Sequence, residues 1–302
     1  MKSNSSLYYA AVDLGTNTFH VLIARLEKDE VVEIFKKRIF VFLLRNKTSA
    51  IEGISVNRAY KAVLYIKGII NKYNCNAVKV VGTEALRVSQ NGKRIKTELE
   101  KILGEKINII SGKEEARLTH LGVSNSLKSI NRAYTIIDIG GGSIEFIKVG
   151  KSGNFISSDS LPIGVSILAK KSNYLQKLDL DTIEPMRYFL SIYDSIIKTY
   201  SNQMVVFNGG FCEVFAARGF SVLLNNICSN IDRDRLVLVC KRLVYSDLNM
   251  RKKMDWLPWS RQENMHLCGF LLVHLINTLC PKSIIYSPYS LKEGIILSLS
   301  KN

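Results

Sequence analysis

AAVDLGTNTFH, Ala10 to His20, runs apolar residues up to Asp13, breaks at a turn of Gly15, Thr16, Asn17 and Thr18, and then turns apolar again. TIIDIGGGSIEF, Thr135 to Phe146, has the same order of parts: apolar run, acid, small-residue turn with a hydroxyl, apolar run. Asp13 aligns with Asp138, Gly15 with Gly140 and Thr18 with Ser143 without a gap, and the two copies lie 125 residues apart. That spacing suits a duplicated domain, because solenoid repeats recur every ~20 to 50 residues. One D-x-G stretch is accounted for by a tight β-turn. Two gapless copies at domain spacing ask for a shared purpose.

The chemistry of the residues suggests one. Small residues let a turn approach a phosphate closely, so that backbone N–H groups and the hydroxyls of Thr16, Thr18 and Ser143 can donate to its oxygens. An acid just before the glycine can hold a magnesium ion or its waters against the same phosphate. Each acid-plus-hairpin unit therefore reads as a phosphate grip.

The rest of the composition narrows the class. The 302 residues are 47% hydrophobic, enough for a sizeable core and two domains. No apolar stretch reaches the ~18 residues of a membrane helix, and the N-terminus lacks a secretory apolar core, so a cytoplasmic protein is expected. Cys75, Cys212, Cys228, Cys240, Cys268 and Cys280 are scattered, with no C-x-x-C pair, and read as reduced thiols. A net charge of +16 favours a polyanionic partner or reflects compositional drift. No aromatic-basic interleaving or nucleic-acid-binding module accompanies it, so specific nucleic-acid binding is not expected, nor is a membrane partner. Neither a Walker lysine motif nor a G-x-S-x-G elbow occurs.

Periodicity predicts strands at Tyr8 to Val12, Phe19 to Leu26 and Val31 to Lys37, then a helix beginning after a Ser55 cap. AVKVVGTEALR reads as a buried strand that turns into a helix at Thr83, and INIISGKEEARLTHLGV as a strand, a break at Ser111-Gly112 and a helix whose first turn holds Glu114 and Glu115. Acids there suit the positive end of the helix. The second half reads as a hairpin around the glycines, helices near Leu178 to Tyr200, a buried strand MVVF, an all-round apolar helix, and a closing strand, turn and terminal helix.

AAVDLGTNTFHVLIAR, VVGTEALR, INIISGKEEARLTHLGV, IIDIGGGSIEF and YSLKEGIILSL, in this order and spacing, resemble the exopolyphosphatase and guanosine pentaphosphate phosphatase (Ppx/GppA) family of the actin, sugar-kinase and heat-shock chaperone superfamily. The resemblance implies an α/β fold of two ribonuclease H-like (actin-like ATPase) domains with an active cleft between them, in a short form without extra C-terminal helical domains. Domains of 1–124 and 125–302 are expected, with the terminal helix, about 288–302, packing back on the first.

It further implies hydrolysis of terminal phosphoanhydride bonds in inorganic polyphosphate or guanosine pentaphosphate with Mg2+. Glu115 would be the base that activates water, Arg87 a phosphate-binding residue, and Asp138 and Glu145 metal holders, with Asp13 a weaker candidate. Gly15, Thr16, Asn17 and Thr18, and Gly140, Gly141, Gly142 and Ser143, would bind phosphate. A homodimer is one assembly consistent with it. A catalytically weak polyphosphate- or alarmone-binding regulator of the same fold is the alternative; a kinase of the superfamily fits less well, because the E-E-A-R helix start favours water activation. His20 reads as a structural residue, His266 and His274 as core residues, His120 as a helix-face residue, and Lys113 as a solvated one.

The chain departs from the family in three places. KKRIFVFLLRNKTSAIEG lacks the glycines expected after the third strand. NGGFCEV keeps Gly209 and Gly210 but puts Phe211 and Cys212 where a small hydroxyl residue is usual. Glu263 stands where an Asp is usual.

Overall fold

The computed structural model describes residues 7–44, 50–173, 177–217, 221–225 and 227–300. The chain divides into two compact units, Met1–Asn125 with Tyr289–Asn302, and Ser126–Pro288.

In the first unit β1 (Tyr9–Leu14), β2 (Thr18–Glu27) and β3 (Glu30–Phe40) form an antiparallel meander. α1 (Gly53–Tyr73), β4 (Ala77–Gly82), α2 (Glu84–Val88), α3 (Gly92–Leu103), β5 (Ile107–Ile109) and α4 (Gly112–Ser126) follow. The sheet order is β3-β2-β1-β4-β5, with β1, β4 and β5 parallel. Side chains alternate across this sheet as strand geometry requires. Ala10, Val12, Leu14, Phe19, Val21 and Ile23 pack with residues of α1 and α3, while Ala11, Leu22 and Ala24 pack on the other side with Leu118 of α4. Helices on both faces explain why these strands read as near-continuous apolar runs.

The second unit repeats the plan and extends it. β6 (Tyr134–Ile139), β7 (Ile144–Val149) and β8 (Phe155–Leu161) form the meander, followed by α5 (Val165–Lys171), α6 (Leu180–Ser191), α7 (Asp194–Thr199), β9 (Met204–Asn208) and α8 (Glu213–Ala216). β10 (Ser221–Leu223), β11 (Ser229–Ile231), α9 (Arg233–Val244), α10 (Leu248–Lys252), α11 (Met265–Leu279) and β12 (Ser283–Tyr286) complete it. The sheet order is β10-β11-β12-β9-β6-β7-β8. Its stretch β8-β7-β6-β9-β12 has the order and strand directions of the first sheet. α11 is buried nearly all round, as its apolar sequence predicts.

The last helix, α12 (Leu291–Leu299), belongs to the first unit, where Leu291, Ile295 and Ile296 join the cluster under β1 and β2. It crosses α4 at two glycines: a Cβ on Gly294 would lie 1.7 Å from the Leu118 carbonyl oxygen, and one on Gly122 2.2 Å from that of Ser290. Only residues without a side chain allow that approach.

Two local expectations are corrected. Ser55 does not cap α1, which starts at Gly53 with Glu52 before it; instead the Ser55 hydroxyl donates to the Phe42 carbonyl at 2.7 Å. β3 runs on to Phe40 instead of ending at Lys37, because β2 supplies partners as far as Thr18. All six cysteines are free thiols, and Cys280 is exposed.

Candidate active site

In each unit the expected site residues gather at one edge of the sheet. Leu14 lies opposite Gly82 and Gly82 opposite Ile109, so the turn after β1, the start of α2 and the start of α4 emerge together. In the second unit Asp138 lies opposite Asn208, and Phe207 opposite Tyr286. Both edges are carboxyl ends of parallel strands, where α/β sheets bind ligands.

The two turns close with the same backbone hydrogen bond. Gly15 N donates to Thr18 O at 3.0 Å, and Gly140 N to Ser143 O at 3.1 Å. Asp13 pairs with His20 across the hairpin as Asp138 pairs with Glu145. The segment after the third strand then ties down the turn carbonyls. Leu43 N and Val41 N donate to Thr16 O and Asn17 O at 2.8 and 2.9 Å; Ser166 N and Gly164 N donate to Gly141 O and Gly142 O at 2.8 and 3.2 Å. A turn held by its carbonyls keeps its N–H groups aimed in a fixed direction, as an anion nest requires.

The missing family glycines are explained at Phe42, whose φ of 50° lies in the left-handed region that glycine favours. Such a conformation costs about 1–3 kcal/mol for a bulky residue. Neighbours hold it there: Phe40 stacks on its ring at 5.7 Å, the Arg58 guanidinium lies 5.7 Å from the ring centre, and Arg58 Nε donates to Val41 O at 2.8 Å. Arg45 and Asn46 of the same departing stretch lie outside the described residues. At the other departure Phe211 and Cys212 turn into the core, and the buried Arg261 guanidinium sits 4.2 Å from the centre of the Phe211 ring.

The side chains refine the expected roles. Ser143 Oγ donates to Glu145 Oε1 at 2.7 Å, which commits the single hydroxyl proton expected for phosphate; Gly140 to Ser143 can still offer backbone N–H groups. Ser160 Oγ donates to the same carboxylate oxygen at 2.8 Å. Thr18 Oγ1 lies 2.9 Å from His20 Nε2, consistent with a structural role for His20. Asn208 is fully buried at the end of β9; its amide is assigned from the surrounding acceptors, with the nitrogen facing Asp138 Oδ1 at 3.0 Å and Ile137 O at 3.3 Å. Sequence reasoning missed Ser160 and Asn208. Neither had a local signal, because each reaches its carboxylate through strand pairing, β9 with β6 and β8 with β7.

In the first unit Glu115 and Arg87 meet. Arg87 Nη1 lies 3.3 Å from Glu115 Oε2 and donates to Ile110 O at 2.7 Å, while Nη2 bonds Glu84 Oε2. Burial opposes the charge on Arg87, but Glu115 and Glu84 outweigh it and hold the guanidinium pKa above its ordinary value. Its remaining N–H donors can serve a phosphate. Glu115 is buried in the first turn of α4, whereas Glu114 pairs through both oxygens with Arg117 at 2.7 Å and Lys113 is exposed. His120 is buried and not on an open helix face, and His266 is in the core. Among the described residues no group of three or more His, Cys, Asp or Glu side chains is placed to hold a metal.

Two α/β units of one topology, each with an acid and a phosphate-sized turn at the carboxyl edge of its sheet, define an actin-like fold. The sequence profile of the Ppx/GppA phosphatase family matches residues 31–302. The chain belongs to that family. It is 32% identical over 158 residues to the guanosine-5'-triphosphate,3'-diphosphate pyrophosphatase of Pseudoalteromonas translucida, a match covering 52% of this chain and 31% of that protein. The enzyme of the same name from Aliivibrio fischeri is 30% identical over 167 residues, covering 54% and 33%. The match thus spans about a third of these relatives' length. Among solved structures, an exopolyphosphatase from Cytophaga hutchinsonii superposes with a TM-score of 0.88 at 23% identity, covering 97% of this chain and 98% of that one. The Aquifex aeolicus Ppx/GppA family member gives 0.79 at 20% identity, covering 98% and 99%. The fold is therefore that of the family.

Proposed function

We propose that the protein is a phosphohydrolase that removes the terminal phosphate of inorganic polyphosphate or the 5'-terminal phosphate of guanosine pentaphosphate. The observation that carries this reading is the buried Glu115 carboxylate held by Arg87 at the edge where the Asp13 turn emerges. Glu115 takes a proton from a water whose oxygen attacks the terminal phosphorus; the bridging P–O bond breaks and its electrons stay on the oxygen of the shortened substrate. Arg87 and the backbone N–H groups of the turns bind phosphoryl oxygens and carry the charge that builds up there.

A magnesium ion fits the donor set, because Mg2+ is commonly held by one or two carboxylates together with substrate phosphates and not by a full protein cage. Asp138 and Glu145, with Asp13 as the weaker candidate, would hold it. When bound it neutralises phosphate charge. Ser143 and Ser160 hold the Glu145 carboxylate by hydrogen bonds, and the Asn208 amide sits beside Asp138 Oδ1.

The test is phosphate release from both substrates by purified protein with magnesium, alongside Glu115→Gln. The amide keeps the shape and removes the base, so kcat should fall roughly a hundredfold or more with affinity nearly intact. Full activity in the variant moves the base elsewhere. Tight binding of either substrate with no release by the native chain favours the regulator reading.

A further inference from the structure

Away from both sheet edges, the helices of the second unit enclose a groove of about 880 Å³. That is the size of a small-molecule site, ~300–1,000 Å³. One face of each of four helices lines it: Ile183 and Arg187 from α6, Asp194 and Lys198 from α7, Lys241 and Val244 from α9, Phe270, Val273 and His274 from α11. The spacings are helical throughout, so the groove is built by rigid elements.

Its chemistry is divided. Ile183, Val244, Phe270 and Val273 give an apolar floor. His274 Nε2 bonds Asp194 Oδ1 at 2.9 Å, a hydrogen bond that engages the single acid of the lining without cancelling its charge, and Arg187 pairs with Glu184. Lys198 and Lys241 have no ion-pair partner among the described residues. Two ammonium groups against one carboxylate at the border of an apolar trough complement a molecule with an apolar body and an anionic head. The competing account is that both lysines merely sit in the last turns of α7 and α9, where cations suit the helix dipole. That account leaves the trough between them without an explanation.

We propose that this groove is a binding site for a small amphiphilic organic anion, its apolar body on Ile183, Val244, Phe270 and Val273 and its anionic head on Lys198 and Lys241. The proposal is independent of the phosphohydrolase reading, and no residue of the groove belongs to the candidate active site. Exposed Cys280 at the end of α11 lines the groove and serves as a reporter.

Decanoate is the probe. Calorimetric titration of the full chain should give saturable binding of one decanoate, weakened roughly tenfold or more in Lys198→Ser/Lys241→Ser, as the loss of a partly desolvated charge contact predicts. 1-Decanol should bind the native and double-variant proteins alike. In the native protein decanoate should also slow alkylation of Cys280 by iodoacetamide, followed by peptide mass spectrometry, which keeps the test intact should the double variant not fold. Absent binding, equal decanoate affinity in the double variant, or an unprotected Cys280 overturns the proposal. A lower melting temperature of the variant with unchanged decanoate affinity establishes the helix-dipole role instead.

Discussion

Arg87 has three partners inside the protein, and no other cation could serve all three. Its planar fork spans the carboxylates of Glu84 and Glu115 and the Ile110 carbonyl. Lysine offers a single ammonium point and cannot span them. Arg87→Lys should therefore lower kcat/KM for phosphate release roughly ten- to hundredfold, because under the proposed mechanism a misplaced Glu115 no longer aligns the attacking water. Steady-state kinetics on the purified variant checks this, and unchanged values detach Glu115 from Arg87. These residues were legible in the sequence because each sits beside a local signal: an acid before a glycine turn, a carboxylate in a helix first turn. Asn208, Ser160 and the left-handed Phe42 were not, since their roles come from partners far along the chain. Asn208 meets Asp138 only because β9 pairs with β6, and Phe42 keeps a glycine-like backbone because Arg58 and Phe40 hold it.

The helix carrying Glu115 owes its seat to α12. Gly294→Ala would drive a methyl into the Leu118 carbonyl, where a Cβ has only 1.7 Å, so the helices must separate. Overpacking of this kind costs ~1–3 kcal/mol or more, and a lower melting temperature together with a lower kcat is expected. An unchanged melting curve means that the crossing yields easily. In the second unit His274 joins α11 to α7 through Asp194. Burial lowers its pKa below the ordinary 6.5 despite the opposing pull of Asp194, with Arg187 adding to the fall. The unfolded chain thus binds the proton first, so this contribution is complete above pH 6.5 and is lost as pH falls through the lower folded value. Thermal melts should show stability falling on acidification below that pH, with a shallower slope in His274→Gln; parallel slopes assign the effect to other groups. The meander strands, the paired turns and the buried α11 were readable from apolar period and turn chemistry. The three-residue β10 and β11 carry too few residues to show a period, and β8, FISSDSL with a single buried residue, has no apolar alternation to read.

Over the whole molecule 42 basic residues face 26 acidic ones. Many of the acids are spent locally: Glu98 on Arg94, Glu100 on Lys96, Glu114 on Arg117 and Glu184 on Arg187. Such short-range pairs cancel in place, so the surplus of +16 remains to act on long polyanions. If it guides a chain of phosphates, each contact releases condensed counterions, and affinity for long polyphosphate should fall steeply between roughly 50 and 200 mM salt. Guanosine pentaphosphate is compact and offers far fewer phosphate contacts than a long chain. Its affinity should fall much less over the same range, because fewer charges take part in its contacts. Titrations of both ligands at a series of salt concentrations, with Glu115→Gln to prevent turnover, compare the slopes directly. A polyphosphate slope several times the nucleotide slope gives the positive charge a role in substrate capture. Equal, shallow slopes make it compositional drift and leave the nucleotide as the substrate that the turns are built to hold.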